Sequence, residues 1–243
     1  MGQLGRILEF CYLTVSRSDS VVVIGAGLST TLNKEKIIKY IDENKSTVFA
    51  ANYNFESLGI KSHYTYITDP EKLEQNIMKI NSNLIVPSKL AVHYSNATFS
   101  KFLEKHKRYN VYRMGIYNKK YTYGSTRILS HNGNGTYPFF SFGISGFGTI
   151  LAASVCRPKK MLLVGIDAPK MNVEFKTMYD NKIVKYEKPA KCLKVINYFT
   201  NILLPTIYSM RISVETFSSV ELLGLDKKKL RIRVLDQNDP FFF

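Results

Sequence analysis

Short apolar runs alternate along the chain with segments whose apolar residues recur every three or four positions. Residues 21–24 read Val-Val-Val-Ile, and such a β-branched run predicts a strand buried on both faces. Residues 34–44 carry isoleucines at helical spacing and predict a helix. Further strands are predicted at residues 47–51, 64–68 and 83–86. Short buried strands that alternate with helices indicate an α/β fold with a mostly parallel, Rossmann-like sheet and helices on both faces.

A helix predicted over residues 70–80 carries its own start signal. Asp69 precedes it as an N-cap, whose side chain can accept a hydrogen bond from a free backbone N–H. Pro70 suits the first helical position, where its missing N–H is not needed.

The same alternation returns in the second half of the chain. Residues 145–156 predict a helix of small residues, and residues 161–166 predict a strand that ends at Asp167. An amphipathic helix is predicted at 191–204 with Pro205 near its end, and strands are predicted at 210–214 and 230–234. The sequence shows neither an internal repeat nor a linker, so we interpret residues 1–243 as a single α/β domain.

Two segments interrupt this pattern and are predicted to be insertions. Residues 91–140 are dense in Tyr, Lys, Asn and Gly. We expect them to be irregular and lid-like, because long polar-aromatic segments inside α/β domains commonly cover active sites. Residues 170–188 are a second, charged insertion that carries tyrosines.

The charge of the chain narrows the classes of partner. Its 34 Lys and Arg residues exceed its 19 Asp and Glu residues, which gives a formal net charge of +15. Such an excess attracts phosphorylated metabolites, nucleic acid or acidic lipid head groups without choosing among them. The densest basic run, residues 227–233, is interpreted as a solvated surface.

The cysteine content and the hydropathy of the chain indicate its cellular compartment. The three cysteines are far apart and form no CxxC pair, which favours reduced thiols over a disulfide framework or a cysteine zinc site. No apolar stretch reaches the roughly 18 residues that a membrane span needs, and the start of the chain does not resemble a signal peptide. We expect a cytoplasmic protein, with peripheral contact at the inner face of the membrane as an option.

The turn after the first predicted strand is the leading candidate for chemistry. Its residues, Gly25-Ala26-Gly27-Leu28-Ser29, allow a tight backbone turn and a close approach of a ligand. Amides at the start of the following helix favour an anion. Thr30 replaces the third glycine of the dinucleotide fingerprint, and no Walker lysine follows. The turn therefore predicts phosphate or nucleotide binding, with a purely structural tight turn as the alternative.

Polar residues also follow the later predicted strands. Asn52 follows the second strand, Thr68 and Asp69 follow the third, and Gly165 and Asp167 end the strand at 161–166. Because ligands of open α/β sheets bind beyond the carboxyl ends of the strands, the glycine turn, Asn52 and the Thr68–Asp69 segment are expected to converge. Gly165 and Asp167 are expected to bind or orient a ligand. For Asp69 the alternative interpretation is an N-cap alone.

Ser145 and Gly146 begin the helix of small residues and offer a second predicted anion site. Close packing of that helix on the sheet is the alternative interpretation.

Candidates for proton transfer lie in the two insertions. His131, in a Gly/Asn-rich segment, is the best-placed general base, and Tyr179 and Tyr186 could donate hydrogen bonds to a leaving phosphate. None of the four histidines has a partner at metal-ligand spacing, so no metal site is predicted.

Three sequence blocks carry a family resemblance. They are Val-Ile-Gly-Ala-Gly-Leu-Ser at 23–29, residues 50–70 from Ala-Ala-Asn-Tyr-Asn to Ile-Thr-Asp-Pro, and residues 144–167 from Ile-Ser-Gly-Phe-Gly-Thr to Leu-Val-Gly-Ile-Asp. In order and spacing they resemble the DUF115-type superfamily. It groups Maf-like motility-accessory glycosyltransferases, bacterial sialyltransferases that use CMP-sugars, and an archaeal hydroxymethyl-dihydropterin pyrophosphokinase.

The resemblance implies a GT-A-variant sheet and a metal-independent transfer from a CMP-linked sugar, with no cofactor. It implies that Gly25, Gly27 and Ser29 lie near the nucleotide phosphate. Three further sets match family positions: Asn52 after the second strand, Ser145-Gly146 at the helix start beside the nucleotide, and Gly165 with Asp167 in the Gly-Ile-Asp strand end. The sialyltransferases place a general-base histidine after that strand end, and no histidine follows His131 here.

The leading interpretation is a sialyltransferase-like glycosyltransferase that modifies a surface glycan or glycolipid, as in lipopolysaccharide biosynthesis. His131 or Asp167 would activate the acceptor hydroxyl. One alternative is a pterin pyrophosphokinase-like enzyme that uses Mg-ATP, and another is a non-catalytic nucleotide or nucleic-acid binding module, for which charge is the only indication. Oligomeric state is left open, a homo-oligomer included.

Overall fold

The computed structural model describes residues 7–9, 18–87, 97–114, 117–118, 125–129, 136–140, 145–167, 175–176, 183–184, 196–217 and 228–235. The chain divides into two compact units. Unit 1 comprises Met1–Arg17 and Phe49–Cys156, and unit 2 comprises Ser18–Val48 and Arg157–Phe243. A single domain over residues 1–243 stays a prediction.

The described strands are, in chain order, β1 (Ile7–Glu9), β2 (Ser20–Ile24), β3 (Thr47–Ala51), β4 (Tyr64–Tyr66), β5 (Asn83–Pro87), β6 (Val111–Met114), β7 (Tyr117–Asn118), β8 (Ser125–Leu129), β9 (Thr136–Phe140), β10 (Lys160–Val164), β11 (Phe175–Lys176), β12 (Ile183–Val184), β13 (Ser213–Thr216) and β14 (Arg233–Val234). The α-helices are α1 (Leu28–Leu32), α2 (Lys34–Asn44), α3 (Pro70–Asn76), α4 (Ala97–Lys105), α5 (Ser145–Ser154) and α6 (Leu204–Ser209). Among the described helices, none is long and apolar enough to cross a bilayer.

Unit 1 is built on a parallel sheet in the order β1-β6-β5-β4-β3. The consecutive residues Leu84, Ile85 and Val86 of β5 are all fully buried. Because successive side chains of a strand point to opposite faces, both faces of this sheet are covered. Helices α3 and α4 contribute Leu73 and Phe99 to the same core cluster.

Unit 2 is built on a second parallel arrangement, in the order β2-β10-β13-β14. All five residues of β2 are buried, so this sheet too is covered on both faces. Helix α2 buries Ile37 and Tyr40. The predicted α/β class with a mostly parallel, Rossmann-like sheet is confirmed.

Several predicted boundaries agree with the structure. Helix α2 and strand β3 have the predicted bounds, and α3 starts at Pro70 as predicted. The Asp69 side chain accepts a hydrogen bond from Glu71 N at 3.0 Å, which confirms the N-cap. The helix predicted to reach residue 80 continues beyond α3 as a 3₁₀ turn, Ile77–Lys79.

The expectation of an irregular segment at 91–140 is wrong for much of its described part. It contains α4 and β6, and β7, β8 and β9 form an antiparallel three-stranded sheet. Helix α4 forms because Phe99, Phe102 and Leu103 recur at helical spacing and are all buried. The remainder of 91–140, and most of 170–188, lie outside the described residues; within 170–188, β11 and β12 form an antiparallel pair.

Pro205 does not end its helix, contrary to the prediction. A π-helical turn, Phe199–Leu203, precedes it, and α6 continues to Ser209. Proline removes one N–H from a helix, and a wider turn relieves the clash of its ring with the preceding turn. Thr206 Oγ1 donates to Ile202 O at 2.6 Å and so satisfies one of the carbonyls in this turn.

The strands predicted at 210–214 and 230–234 begin later than expected. β13 starts at Ser213 and β14 at Arg233, because Arg211 and Arg231 have φ values of 60° and 57° and turn the chain. The strand predicted at 161–166 ends at Val164 for a similar reason, since Gly165 has a φ of 64°.

A buried carboxylate in unit 2 depends on a tyrosine. Glu215 is 3% exposed, and Tyr40 Oη donates to its Oε2 at 2.6 Å. Arg233 Nη1 lies 3.6 Å from Glu215 Oε1. Burial and the hydrogen bond to Glu215 raise the pKa of Tyr40 well above its usual range, so the phenol stays a donor.

Replacing Tyr40 should therefore destabilise the protein. Tyr40→Phe leaves Glu215 Oε2 buried without this donor, and we expect a loss of about 1–3 kcal/mol in the free energy of unfolding, measured by urea denaturation. Tyr208→Phe is the matched control, because Tyr208 Oη donates to a neutral acceptor, Leu230 O, at 2.6 Å. A loss no larger than in that control would show that Glu215 does not depend on Tyr40.

Stability should also fall in alkali. Burial raises the pKa of the Cys156 thiol from 9.0 to about 12. The thiol's contribution to stability is therefore complete below pH 9 and is lost as pH rises from 9 toward 12. Cys156→Ala should make the decline in the unfolding free energy over this range less steep, although buried tyrosines leave part of it. Parallel declines in the two proteins would contradict the assignment.

Candidate functional site

Gly25 and Gly165 in unit 2 allow the ends of β2 and β10 to come into contact. Gly25 N donates to Val164 O at 2.9 Å, and Gly27 N donates to Gly165 O at 3.0 Å. A Cβ on Gly25 would lie 2.1 Å from Gly165 O, and Gly165 has the left-handed φ that favours glycine. Both Gly25 and Gly165 therefore have a steric reason to be glycine.

Ser29 and Asp167 form the polar centre of this contact. Ser29 N donates to Asp167 Oδ2 at 2.8 Å, and Ser29 Oγ donates to Asp167 Oδ1 at 2.5 Å. Ser29 Oγ also accepts from Gly165 N at 2.9 Å. The carboxylate lies so close to Gly27 that a Cβ there would be 2.3 Å from Asp167 Oδ2. The Asp167 carboxylate thus lies beside the first amides of α1, where a negative charge is favourable.

The hydrogen bonds of the glycine turn use amides that the predicted phosphate site would need. The amides of Gly25, Gly27, Ser29 and Thr30 all donate to acceptors inside the protein. A phosphate that used Ser29 N would have to displace the Asp167 carboxylate. The geometry therefore supports the structural interpretation of the turn, and phosphate binding by Gly25, the half-buried Ala26, Gly27 and Ser29 stays a prediction.

The sequence predicts no functional role for Thr30, yet its side chain forms a hydrogen bond across the glycine turn. Its Oγ1 donates to Gly25 O at 2.8 Å, and a Cβ on Gly165 would lie 2.1 Å from the same oxygen atom of Thr30. The residue that breaks the dinucleotide fingerprint therefore has a structural role of its own.

Replacing Gly165 should be costly. Gly165→Ala combines a left-handed φ with a Cβ that would lie 2.1 Å from Gly25 O, and we expect a loss of more than about 3 kcal/mol in the free energy of unfolding. Gly59→Ala is the control, because Gly59 is exposed and has a φ of 75°. It should lose about 1–2 kcal/mol. Equal losses by urea denaturation would refute the proposed role of the glycine contact.

Asn52, Thr68 and Ser145 meet in unit 1, beyond the carboxyl ends of β3 and β4. Asn52 directly follows β3, Thr68 comes shortly after β4, and Ser145 is the first residue of α5. Asn52 Nδ2 donates to Ser145 Oγ at 2.6 Å, and a hydrogen bond of 2.9 Å joins Ser145 Oγ to Thr68 Oγ1. The structure therefore brings Asn52 and Thr68 together, as the sequence predicts, and it adds Ser145, which the sequence predicts as a separate anion site.

Asn52 has two features that set it apart within this cluster. Its φ is 64°, and its N–H donates to Tyr66 O at 2.9 Å, so the backbone holds the side chain over the end of β4. Its Oδ1 is buried and has no hydrogen-bond partner in the described part of the chain. If the amide oxygen and nitrogen were exchanged, the atom facing Ser145 would still be bonded and the other would still lack a partner. A buried polar atom without a partner costs about 1–3 kcal/mol.

Close helix packing positions Ser145. Gly148 lies on α5 against Tyr66, and a Cβ there would be 2.2 Å from Tyr66 Cε1. Gly146, in the first turn of α5, is buried. The packing interpretation of the Ser145–Gly146 helix start therefore holds, and Gly148 is a positioning residue that the sequence analysis did not single out.

The remaining predicted residues fall into two groups. Asp69 is occupied as the cap of α3 and is not seen in the bonds that join Asn52, Thr68 and Ser145. His131, Tyr179 and Tyr186 lie outside the described residues, and their roles stay predictions. Within the described ranges, no group of three or more His, Cys, Asp or Glu side chains is placed to hold a metal ion.

Comparison of the chain with protein-family models, curated proteins and solved structures gives no match. The resemblance to the sialyltransferase-containing superfamily therefore stays a prediction, and the functional argument depends on the residues themselves.

Proposed function

We propose that the chain is a glycosyltransferase that binds a nucleotide-activated sugar, with a CMP-linked sugar as the donor. The Oδ1 of Asn52, which has no hydrogen-bond partner among the described residues, carries this proposal. It lies where open α/β sheets bind nucleotides, beyond the carboxyl end of a parallel strand. A cytosine amino group or a ribose hydroxyl would donate to this oxygen and remove the cost of its burial.

The rigid setting of Asn52 supports a recognition role. The hydrogen bonds of its N–H and its Nδ2, to Tyr66 O and Ser145 Oγ, fix the side chain before a ligand arrives. A preformed acceptor loses little conformational entropy on binding.

The reaction we propose is direct displacement at the anomeric carbon of the donor sugar. The acceptor hydroxyl oxygen forms the new glycosidic bond, the bond to the nucleotide phosphate breaks, and a base takes the hydroxyl proton. Each Asp167 oxygen already accepts a hydrogen bond from Ser29, which leaves one fewer lone pair on each oxygen for a substrate proton. This favours His131 of the two predicted bases, with Tyr179 and Tyr186 donating to the departing phosphate.

The acceptor we propose is a surface glycan or glycolipid. The enzyme would act in the cytoplasm without a metal ion, and it would contact the inner face of the membrane peripherally. The net charge of +15 supports a partner surface that is anionic.

Nucleotide binding tests the proposal most simply. CMP should raise the melting temperature of the chain, with or without EDTA, more than CDP, UDP, GDP or ATP. Asn52→Gly should weaken CMP binding by about tenfold or more, because one hydrogen bond to a buried acceptor is lost. Glycine tolerates the left-handed φ, so this variant is expected to stay folded.

Asn81→Ala is the matched control. Asn81 is also an amide in unit 1, and its Nδ2 donates to Glu56 Oε2 at an exposed position, so CMP binding should be unchanged. Stabilisation by ATP with Mg²⁺ alone would contradict the proposed glycosyltransferase activity and would support a pyrophosphokinase-like enzyme. No response to any nucleotide would refute both enzymes and favour a non-catalytic binding module.

A further inference from the structure

Left-handed backbone conformations in the described chain fall mainly on basic residues. Among the described residues, five other than glycine have a positive φ: Asn52, Lys45, Arg157, Arg211 and Arg231. Glycine or asparagine is the usual residue at such a position, because a Cβ is strained there. At three of these positions an arginine, with its long cationic side chain, is found instead of glycine or asparagine.

These three arginines occupy equivalent places in unit 2. Arg157, Arg211 and Arg231 lie two or three residues before β10, β13 and β14, which are neighbours in the parallel sheet. Parallel strands start at the same edge, and neighbouring strands are about 4.8 Å apart. The three side chains therefore belong to one edge, the amino edge of the unit 2 sheet, and all three residues are exposed.

Hydrogen bonds hold the arginine-bearing turns in place. Arg211 N donates to Tyr208 O at 2.9 Å, and Arg231 N donates to Lys228 O at 3.1 Å. Tyr208 Oη reaches across to Leu230 O at 2.6 Å and joins the turn before β13 to the turn before β14. The charges are thus presented by an ordered edge of the sheet.

The charge of this edge is mainly positive, although Asp42 and Glu43 are exposed at the end of α2 beside the start of β10. Lys228 and Lys229 are exposed in the turn before β14 and add to the three arginines. The acidic residue described at the start of β2, Asp19, is paired with Lys159 at 2.8 Å. We call Arg157, Arg211, Lys228, Lys229 and Arg231 the amino-edge patch. It lies at the opposite end of the strands from the Gly25–Gly165 contact.

We propose that the amino-edge patch docks unit 2 on an anionic bilayer surface. A row of cations at a sheet edge matches a plane of lipid phosphates, and basic clusters of four to eight residues bind acidic membranes. Nucleic acid fits less well, because single strands are held by aromatic rings as well as charge. Tyr208, three residues before Arg211, is half-buried and its hydroxyl donates to Leu230 O. The choice of a membrane partner rests on the proposed glycolipid acceptor.

Because the three arginines have a left-handed φ, glycine can replace them without backbone strain, and this allows the patch to be tested. In the triple variant Arg157→Gly, Arg211→Gly, Arg231→Gly, glycine relieves the left-handed strain, so the melting temperature should be unchanged or higher. Binding of the full chain to equimolar phosphatidylglycerol–phosphatidylcholine vesicles, measured by co-sedimentation, should fall by about a hundredfold, since each basic residue near the surface contributes about 1 kcal/mol. The unchanged chain should not bind vesicles of phosphatidylcholine alone.

A control removes the same charge from unit 1. Lys61→Gln, Lys79→Gln, Lys101→Gln replaces three exposed lysines and should leave vesicle binding nearly unchanged. Equal losses in the two triple variants, retained binding in the glycine variant, or no vesicle binding by the unchanged chain would overturn the proposal. So would binding to a DNA or RNA oligonucleotide that the glycine variant loses, without vesicle binding.

The vesicle experiment contains no nucleotide, so it is independent of the CMP response. If vesicle binding fails while CMP still stabilises the chain, the docking surface is refuted and the proposed function stands. If CMP has no effect while the glycine variant still loses vesicle binding, the proposed function fails and the membrane surface is supported.

Discussion

The contact between Gly25 and Gly165 is the constraint on which the carboxyl edge of unit 2 depends. A Cβ on either glycine would lie 2.1 Å from the backbone oxygen of the other. Because both positions lack a Cβ, the ends of β2 and β10 come close enough for Ser29 to bond both Gly165 N and the Asp167 carboxylate. Any larger residue would separate the two turns and break these bonds together.

The two units treat the polar groups at their strand ends differently. In unit 2, Ser29 N donates to the Asp167 carboxylate, and the amides of Gly25 and Gly27 donate to backbone carbonyls of β10 and Gly165. The negative charge beside the turn is therefore supplied by the protein. In unit 1, Asn52 bonds Ser145, but its buried Oδ1 has no partner within the described ranges of the chain. A ligand gains more from an atom that lacks a partner than from donors already in use, and this difference points to Asn52 for recognition.

The local pattern of the sequence was sufficient to predict the bounds of helices where capping residues and hydrophobic periodicity agreed. Asp69 and Pro70 located the start of α3, and the isoleucines of residues 34–44 located α2. Helix α4 was overlooked because its three apolar anchors lie in a segment dominated by polar and aromatic residues. The late starts of β13 and β14 could not be predicted, since arginine is not a turn residue and Arg211 and Arg231 give no sequence signal for a left-handed φ.

Residues of the candidate site were easier to predict than their partners. Asn52 and Thr68 were expected to converge because both follow the carboxyl ends of parallel strands, and both form hydrogen bonds with Ser145 Oγ. Ser29 and Asp167 were each assigned to a ligand, yet they bond each other across 138 positions of sequence. Pairing of that kind depends on strand order and register, which the local pattern does not contain.

The central claim is that Asn52 recognises the nucleotide, and side-chain amide NMR tests it most directly. On titration with CMP, the Asn52 side-chain amide resonances should shift with saturation, while the Asn81 side-chain resonances stay in place. The backbone amide of Ser29 should move little, because Asp167 already accepts its hydrogen bond. A saturating shift of Ser29 N–H with no change at the Asn52 side chain would contradict the account and return the nucleotide phosphate to the glycine turn.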